Sequence, residues 1–193
     1  GLVLAPMLSS QGTWHDRRVD FEPLAMSYDL LRQRTVAIAD GYTWERDSQG
    51  WTAIASTDVS MFGTSTSIRT VYDLARQRTL AIGDNLVAWH WDGAGWQSVP
   101  SSTTPSSRRQ FGLSYDSARD RVVMFGGLVI GQGFTDQTWE WDGSDWELRA
   151  PSQSPSPRWY AAMTYDWQRG RTVLVGGSSD AAGVWGIADT WEW

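Results

Sequence analysis

The chain has no cysteine and no lysine in 193 residues, and only two histidines, His15 and His90. The missing cysteine excludes disulfides, thiolate metal sites and cysteine nucleophiles. The missing lysine makes all 16 basic residues arginine. With 22 acidic residues the net charge is −6, which argues against a nucleic-acid partner held by a broad basic surface. Long apolar runs are absent too. Nothing approaches the ~18–20 residues of a membrane-spanning helix, and residues 2–8 are too short, and lack the basic flank, to read as a signal peptide. No phosphate loop, His-x-x-His pair or Ser–His–Asp order occurs, so no cofactor or metal is expected. What the chain has in excess is tryptophan, 14 residues, in a composition that is 41% hydrophobic and able to form a core.

Tyr-Asp-x-x-Arg-x-Arg is written four times, from Tyr28, Tyr72, Tyr115 and Tyr165. The intervals are 44, 43 and 50 residues, and a period of this size means a repeat architecture. A short alternating segment ends at each Tyr-Asp. An apolar, β-branched run follows each second arginine, as in Thr172-Val173-Leu174-Val175. Two such runs about a short polar stretch predict a β-hairpin. A third segment carries tryptophan, as in Thr138-Trp139-Glu140-Trp141. In three copies another tryptophan follows seven residues after the first, pairing Trp44 with Trp51, Trp89 with Trp96 and Trp139 with Trp146. Intervening turns such as Asp142-Gly143 predict a second hairpin. Each repeat therefore reads as four strands, over about 22–55, 66–100, 109–150 and 159–193, with Ser/Pro/Thr-rich links.

Four-stranded units at this period predict an all-β chain, a β-propeller of four-stranded antiparallel blades. The pattern resembles kelch repeats: a leading arginine (Arg108, Arg158), Tyr-Asp, a glycine doublet (Gly126-Gly127, Gly176-Gly177), then spaced aromatics. Phe21 and Ser65 stand where copies one and two would have the arginine. The resemblance covers nearly the whole chain and implies one kelch-like propeller domain over 1–193. The last repeat stops inside its third strand at Trp193. Near the other end, Gln11-Gly12-Thr13-Trp14 is similar to the fourth-strand start Gln49-Gly50-Trp51. Residues 1–14 completing the last blade would give four-bladed closure; the alternative is a fragment of a larger ring.

The resemblance does not carry an activity across. Kelch-like copper oxidases need a cysteine–tyrosine cross-link, which this chain cannot make. The Asp-box of sialidase propellers is present only as a tail in Ser9-Ser10-Gln11-Gly12-Thr13-Trp14. The expectation is a non-catalytic binding or scaffold propeller, with a protein partner or larger complex. The alternative is a carbohydrate-binding or carbohydrate-active propeller.

Blade topology places the strand one–two and three–four turns on one face and the other connections on the opposite face. Tyrosine-to-tryptophan spacing grows from 16 and 17 to 24 and 26 residues, all of it in the strand two–three loops. Function usually sits on variable loops over a rigid scaffold. The candidate partner- or ligand-binding residues are therefore Phe134, Trp159, Trp185, Arg108 and Arg158. Each has a structural counter-reading. The repeated arginines pair with nearby aspartates, the repeated tryptophans pack between blades, and the loop aromatics anchor loops on the ring. His90 stands where other copies have Glu45, Glu140 and Glu192, and is read as an ordinary edge position.

Overall fold

The computed structural model describes residues 21–63, 67–180 and 186–193. Blade 1 is formed by β1 (Pro23–Asp29), β2 (Arg34–Ala39), β3 (Tyr42–Arg46) and β4 (Trp51–Ser56). A short 3-10 turn, Val59–Phe62, leads to blade 2: β5 (Arg69–Asp73), β6 (Arg78–Ile82), β7 (Ala88–Trp91) and β8 (Trp96–Val99). After β9 (Arg108–Arg109), blade 3 begins with β10 (Gly112–Asp116) and β11 (Arg121–Phe125). It detours through β12 (Leu128–Val129) and β13 (Gly133–Phe134), and ends with β14 (Thr138–Trp141) and β15 (Trp146–Arg149). Blade 4 has β16 (Ala162–Asp166), β17 (Arg171–Val175) and β18 (Thr190–Glu192). Each blade is antiparallel with its strands in sequence order. The fold is all-β and propeller-like. The proposed fourth strand of the last blade, from residues 1–14, lies outside the described residues.

Burial follows position within a blade. The second strands β6 and β11 are buried after their first residue, because neighbouring blades cover both faces. That is why they read as unbroken apolar runs rather than alternating ones. The outer strands β8 and β15 are mostly wet, and accept Gln97 and Glu147. Leu80, Ile82, Phe111, Leu113, Met124, Trp139 and Trp141 form a core between blades 2 and 3; Ile38, Phe62, Ile68 and Ala81 form another between blades 1 and 2. Successive first strands pack β1 on β5, β5 on β10 and β10 on β16, but β1 and β16 do not pack together in that way. Among the described strands the blades thus form an arc whose two ends are less covered. Met26 in β1 is 60% exposed and Val175 in β17 is 47% exposed. Four-bladed closure requires a contact between β1 and β16; a larger ring does not.

The repeated motif is a staple within each blade and between blades. Asp29, Asp73, Asp116 and Asp166 each accept a backbone N–H from the arginine three residues on, at 3.0–3.1 Å. The residue before the second arginine takes the left-handed conformation that closes the turn: Gln33, Gln77, Asp120 and Gly170 have φ of 52°, 53°, 58° and 63°. Neighbouring blades are then tied by tyrosine. The Tyr72 hydroxyl accepts from Leu31 N–H, and that of Tyr115 from Ala75 N–H, both at 3.0 Å.

A second tie uses the glutamates of the tryptophan strands. Glu45 accepts from Arg32 in its own blade and from the Trp91 indole of blade 2, the latter at 2.7 Å. Glu140 accepts from Arg119 and Arg149 in its own blade and from the Trp193 indole of blade 4 at 2.7 Å. Burial alone would raise the Glu140 pKa, but the Trp193, Arg149 and Arg119 donors outweigh it and hold it below the ordinary value. Arg32, Arg119, Trp91 and Trp193 of the repeat thus hold the blades together. Blade 2 departs from this scheme. His90 replaces the glutamate, and neither His90 Nδ1 nor the Trp141 indole N–H has a partner among the described residues. Arg76, lacking a glutamate, turns to Asp73, Asp120 and the Asp142 carbonyl.

Candidate functional site

The face carrying the blade links and the strand two–three loops is built on two equivalent arginines. Arg108 and Arg158 are 0% and 1% exposed. Arg108 donates through Nε to the Ser106 carbonyl, through Nη1 to the Gly126 carbonyl and through Nη2 to Gln137 Oε1. Arg158 repeats the arrangement with Ser156, Gly176 and both oxygens of Asp189. These arginines clamp the glycine doublets, and a ligand on the surface does not reach them. That role explains the doublet. At Gly126, φ is +67° and a Cβ would stand 2.5 Å from the Arg158 carbonyl. At Gly177, φ is +99° and a Cβ would stand 2.8 Å from the Trp159 carbonyl. The two clamps differ in charge. Hydrogen bonding from Arg158 pulls the Asp189 carboxyl down to about 2. Arg108 has the neutral Gln137 instead, and burial lowers its pKa to about 10.

Above the clamps the chain lays down small caps. β9, β12 and β13 form a three-stranded sheet over blade 3. Bridges from Ser178 to Trp159 and to Gly186 repeat this over blade 4. The caps bring the aromatics together. Phe134 and Trp159 have ring centroids 5.3 Å apart, and Trp159 and Tyr160 4.7 Å apart. Two of the sequence candidates, Phe134 and Trp159, are thus joined directly; Trp185 lies outside the described residues. Tyr160 extends the row and is 56% exposed.

At its Tyr160 end the row meets the mouth formed by the starts of the first strands. Tyr160 N–H donates to the Gln110 carbonyl at 2.9 Å, and Gln110 N–H donates to Ser67 Oγ at 2.8 Å. Ser67, Gln110 and Tyr160 each stand five residues before the repeat tyrosine, one per blade. Gln110 and Tyr160 have φ of 53° and 56°, a left-handed backbone uncommon for such side chains and enriched at ligand sites. Gln110 Oε1 accepts from Arg69 Nη2 at 2.8 Å.

Arg69 lies at a strand start, outside the variable loops. Three residues before the repeat tyrosine the copies read Ala25, Arg69, Gly112 and Ala162. A long cation among three small residues was a visible departure from the repeat. Its pKa is lowered by burial, an effect that Tyr160 opposes.

An open cavity lies at this surface and another runs toward the opposite face. One of about 420 Å³ lies between blades 2 and 3 and is lined by Gly63, Asp84, Asn85, Ser106, Ser107 and Ile130. Arg109 Nε stands 3.6 Å from Asp84 at this position. The other, of about 410 Å³, runs along the first strands between Tyr72, Tyr115 and Tyr165. Two of those tyrosines are already used between blades. No group of three metal-ligating side chains occurs among the described residues.

No family model and no curated protein matches the sequence. Among solved structures the chain is similar to that of YjhT, with a TM-score of 0.54 and 14% sequence identity. The alignment covers 79% of this chain and 48% of that one, so the chain spans about half the length of the protein it matches. At this identity the likeness bears on the fold, and it agrees with the propeller-like arrangement of the blades.

Proposed function

We propose that the chain is a non-catalytic kelch-type binding propeller whose loop face holds a protein partner within a larger assembly. The observation that supports this reading is a division of labour. The charged residues of the repeat motif are engaged in staples within and between blades. The residues that depart from the repeat, Phe134, Trp159, Tyr160, Gln110 and Arg69, instead form one connected row on the loop face. Aromatic anchors beside an arginine are the residue types that dominate protein interfaces.

A carbohydrate ligand is the second reading, favoured by the same three rings, which offer an apolar surface to a sugar. Phe134→Ala with Trp159→Ala separates the two. Loss of an identified, co-purifying protein with unchanged polysaccharide retention supports the protein reading. Loss of polysaccharide retention alone moves the assignment to the sugar. Retention of both partners by a variant with native near-ultraviolet circular dichroism shows that the site lies elsewhere.

A further inference from the structure

We propose that Arg69, with Gln110 and Tyr160, forms a carboxylate-binding subsite that receives an acidic side chain of the partner, while the neighbouring aromatic row takes an adjacent apolar one. This rests on the loop-face reading above and names the chemistry that it recognises.

The other arginines of this face are already engaged. Arg158 is neutralised by Asp189, Arg109 stands near Asp84, and Arg108 is sealed in a ring of carbonyl and amide oxygens. Arg69 is half-buried and has no carboxylate among its described partners. Its two hydrogen bonds go to the Ile68 carbonyl and to Gln110 Oε1. A guanidinium has five N–H donors in a planar fork, so donors remain for a ligand. Partial burial strengthens their pull on an anion relative to a fully solvated arginine.

The fork is also held in place. Nη1 is fixed to the carbonyl preceding β5 and Nη2 to the Gln110 amide, so binding costs less side-chain entropy than at a free arginine. Gln110 is itself set by its backbone bonds to Ser67 and Tyr160. The left-handed backbone at Gln110 and Tyr160 turns both residues at the mouth instead of continuing the strand. Tyr160 is the neighbour of Trp159, so the cation and the three rings lie along one line of contacts. A free carboxylate would use only the Arg69 end. A peptide with an acidic residue beside an aromatic or aliphatic one would use both.

The test is a nuclear magnetic resonance titration of the labelled chain with two probes, acetyl-Phe-Glu-amide and its neutral counterpart acetyl-Phe-Gln-amide, and with glucuronate as a third. The acidic peptide is expected to shift the Gln110 and Tyr160 amides and the Trp159 indole, and to bind at least tenfold more tightly than the neutral one. Arg69→Gln should remove that preference and Arg69→Lys should retain part of it, with native tryptophan circular dichroism in both. Equal binding of the two peptides, or a preference that survives Arg69→Gln, overturns the subsite. Glucuronate binding tenfold tighter than the acidic peptide at the same residues overturns the peptide assignment. If the Phe134→Ala/Trp159→Ala variant loses its protein partner while Arg69→Gln leaves peptide discrimination unchanged, the interface stands and the subsite falls. The reverse pattern removes the interface reading and keeps the anion site.

Discussion

At the scale of single residues, the tie between blades 2 and 3 gives the sharpest test of how the fold is held. The Trp91 indole has Glu45 as its acceptor and the Trp193 indole has Glu140, whereas the equivalent Trp141 faces a blade that carries His90. A hydrogen bond to a charged acceptor contributes about 1.5–3 kcal/mol. Trp91→Phe should therefore cost about 1–2 kcal/mol more than Trp141→Phe in chemical denaturation. His90→Glu should supply the missing acceptor, raise stability, and make Trp141→Phe costly in that background. A zero coupling between positions 90 and 141 in this double-mutant cycle would mean that the ties of the other blades are not transferable. His90 is suited to its neutral role: burial and Arg78 lower its pKa, with Asp92 opposing them.

At the scale of elements, the arginine clamp makes the cap over blade 4 sensitive to acid. Asp189 is held down to about 2 by Arg158, against an ordinary aspartate near ~3.9. A depressed carboxylate contributes stability above its unfolded pKa and loses it as pH falls through its folded one. The blade 4 cap should thus weaken progressively between about pH 4 and about pH 2. Asp189→Asn should flatten this dependence, read as the pH profile of Trp159 and Trp191 fluorescence. Blade 3, which has Gln137 at the corresponding place, should not show the same loss. Much at this scale was legible in the sequence. The second strands β6 and β11 are apolar runs because both their faces are covered, and the Asp-Gly turns marked the outer hairpins. The clamp was less legible. Arg108 and Arg158 read as surface residues because they lie beside variable loops, and nothing local says that their side chains turn inward to the carbonyls of Gly126 and Gly176. Arg69 was legible in principle, since it breaks a column of small residues, but it belongs to a strand start and not to a loop of variable length.

At the scale of the whole molecule, packing is unevenly spread. The apolar core between blades 2 and 3 joins β6, β10, β11 and β14, whereas blade 4 packs closely only on blade 3 among the described residues. Opening free energies in such arrays follow local packing. Amide hydrogen exchange should be slowest in β6, β11 and β14 and faster in β16–β18. Uniform protection across all blades would mean that the arc unfolds as one unit.

The ties between blades share a direction. The Trp91 and Trp193 indoles always donate to the glutamate of the preceding blade, and the Tyr72 and Tyr115 hydroxyls accept from the turn of the preceding blade. A blade that keeps these residues presents a plug on one side and a socket on the other; blade 2, with His90, keeps the plug and lacks the glutamate socket. A unit copied in tandem would meet neighbours already shaped to receive it, so lengthening the array by duplication needs no new joint. An inverted unit would put plug against plug. The direction of the joint thus sets no limit of its own on how many blades follow one another.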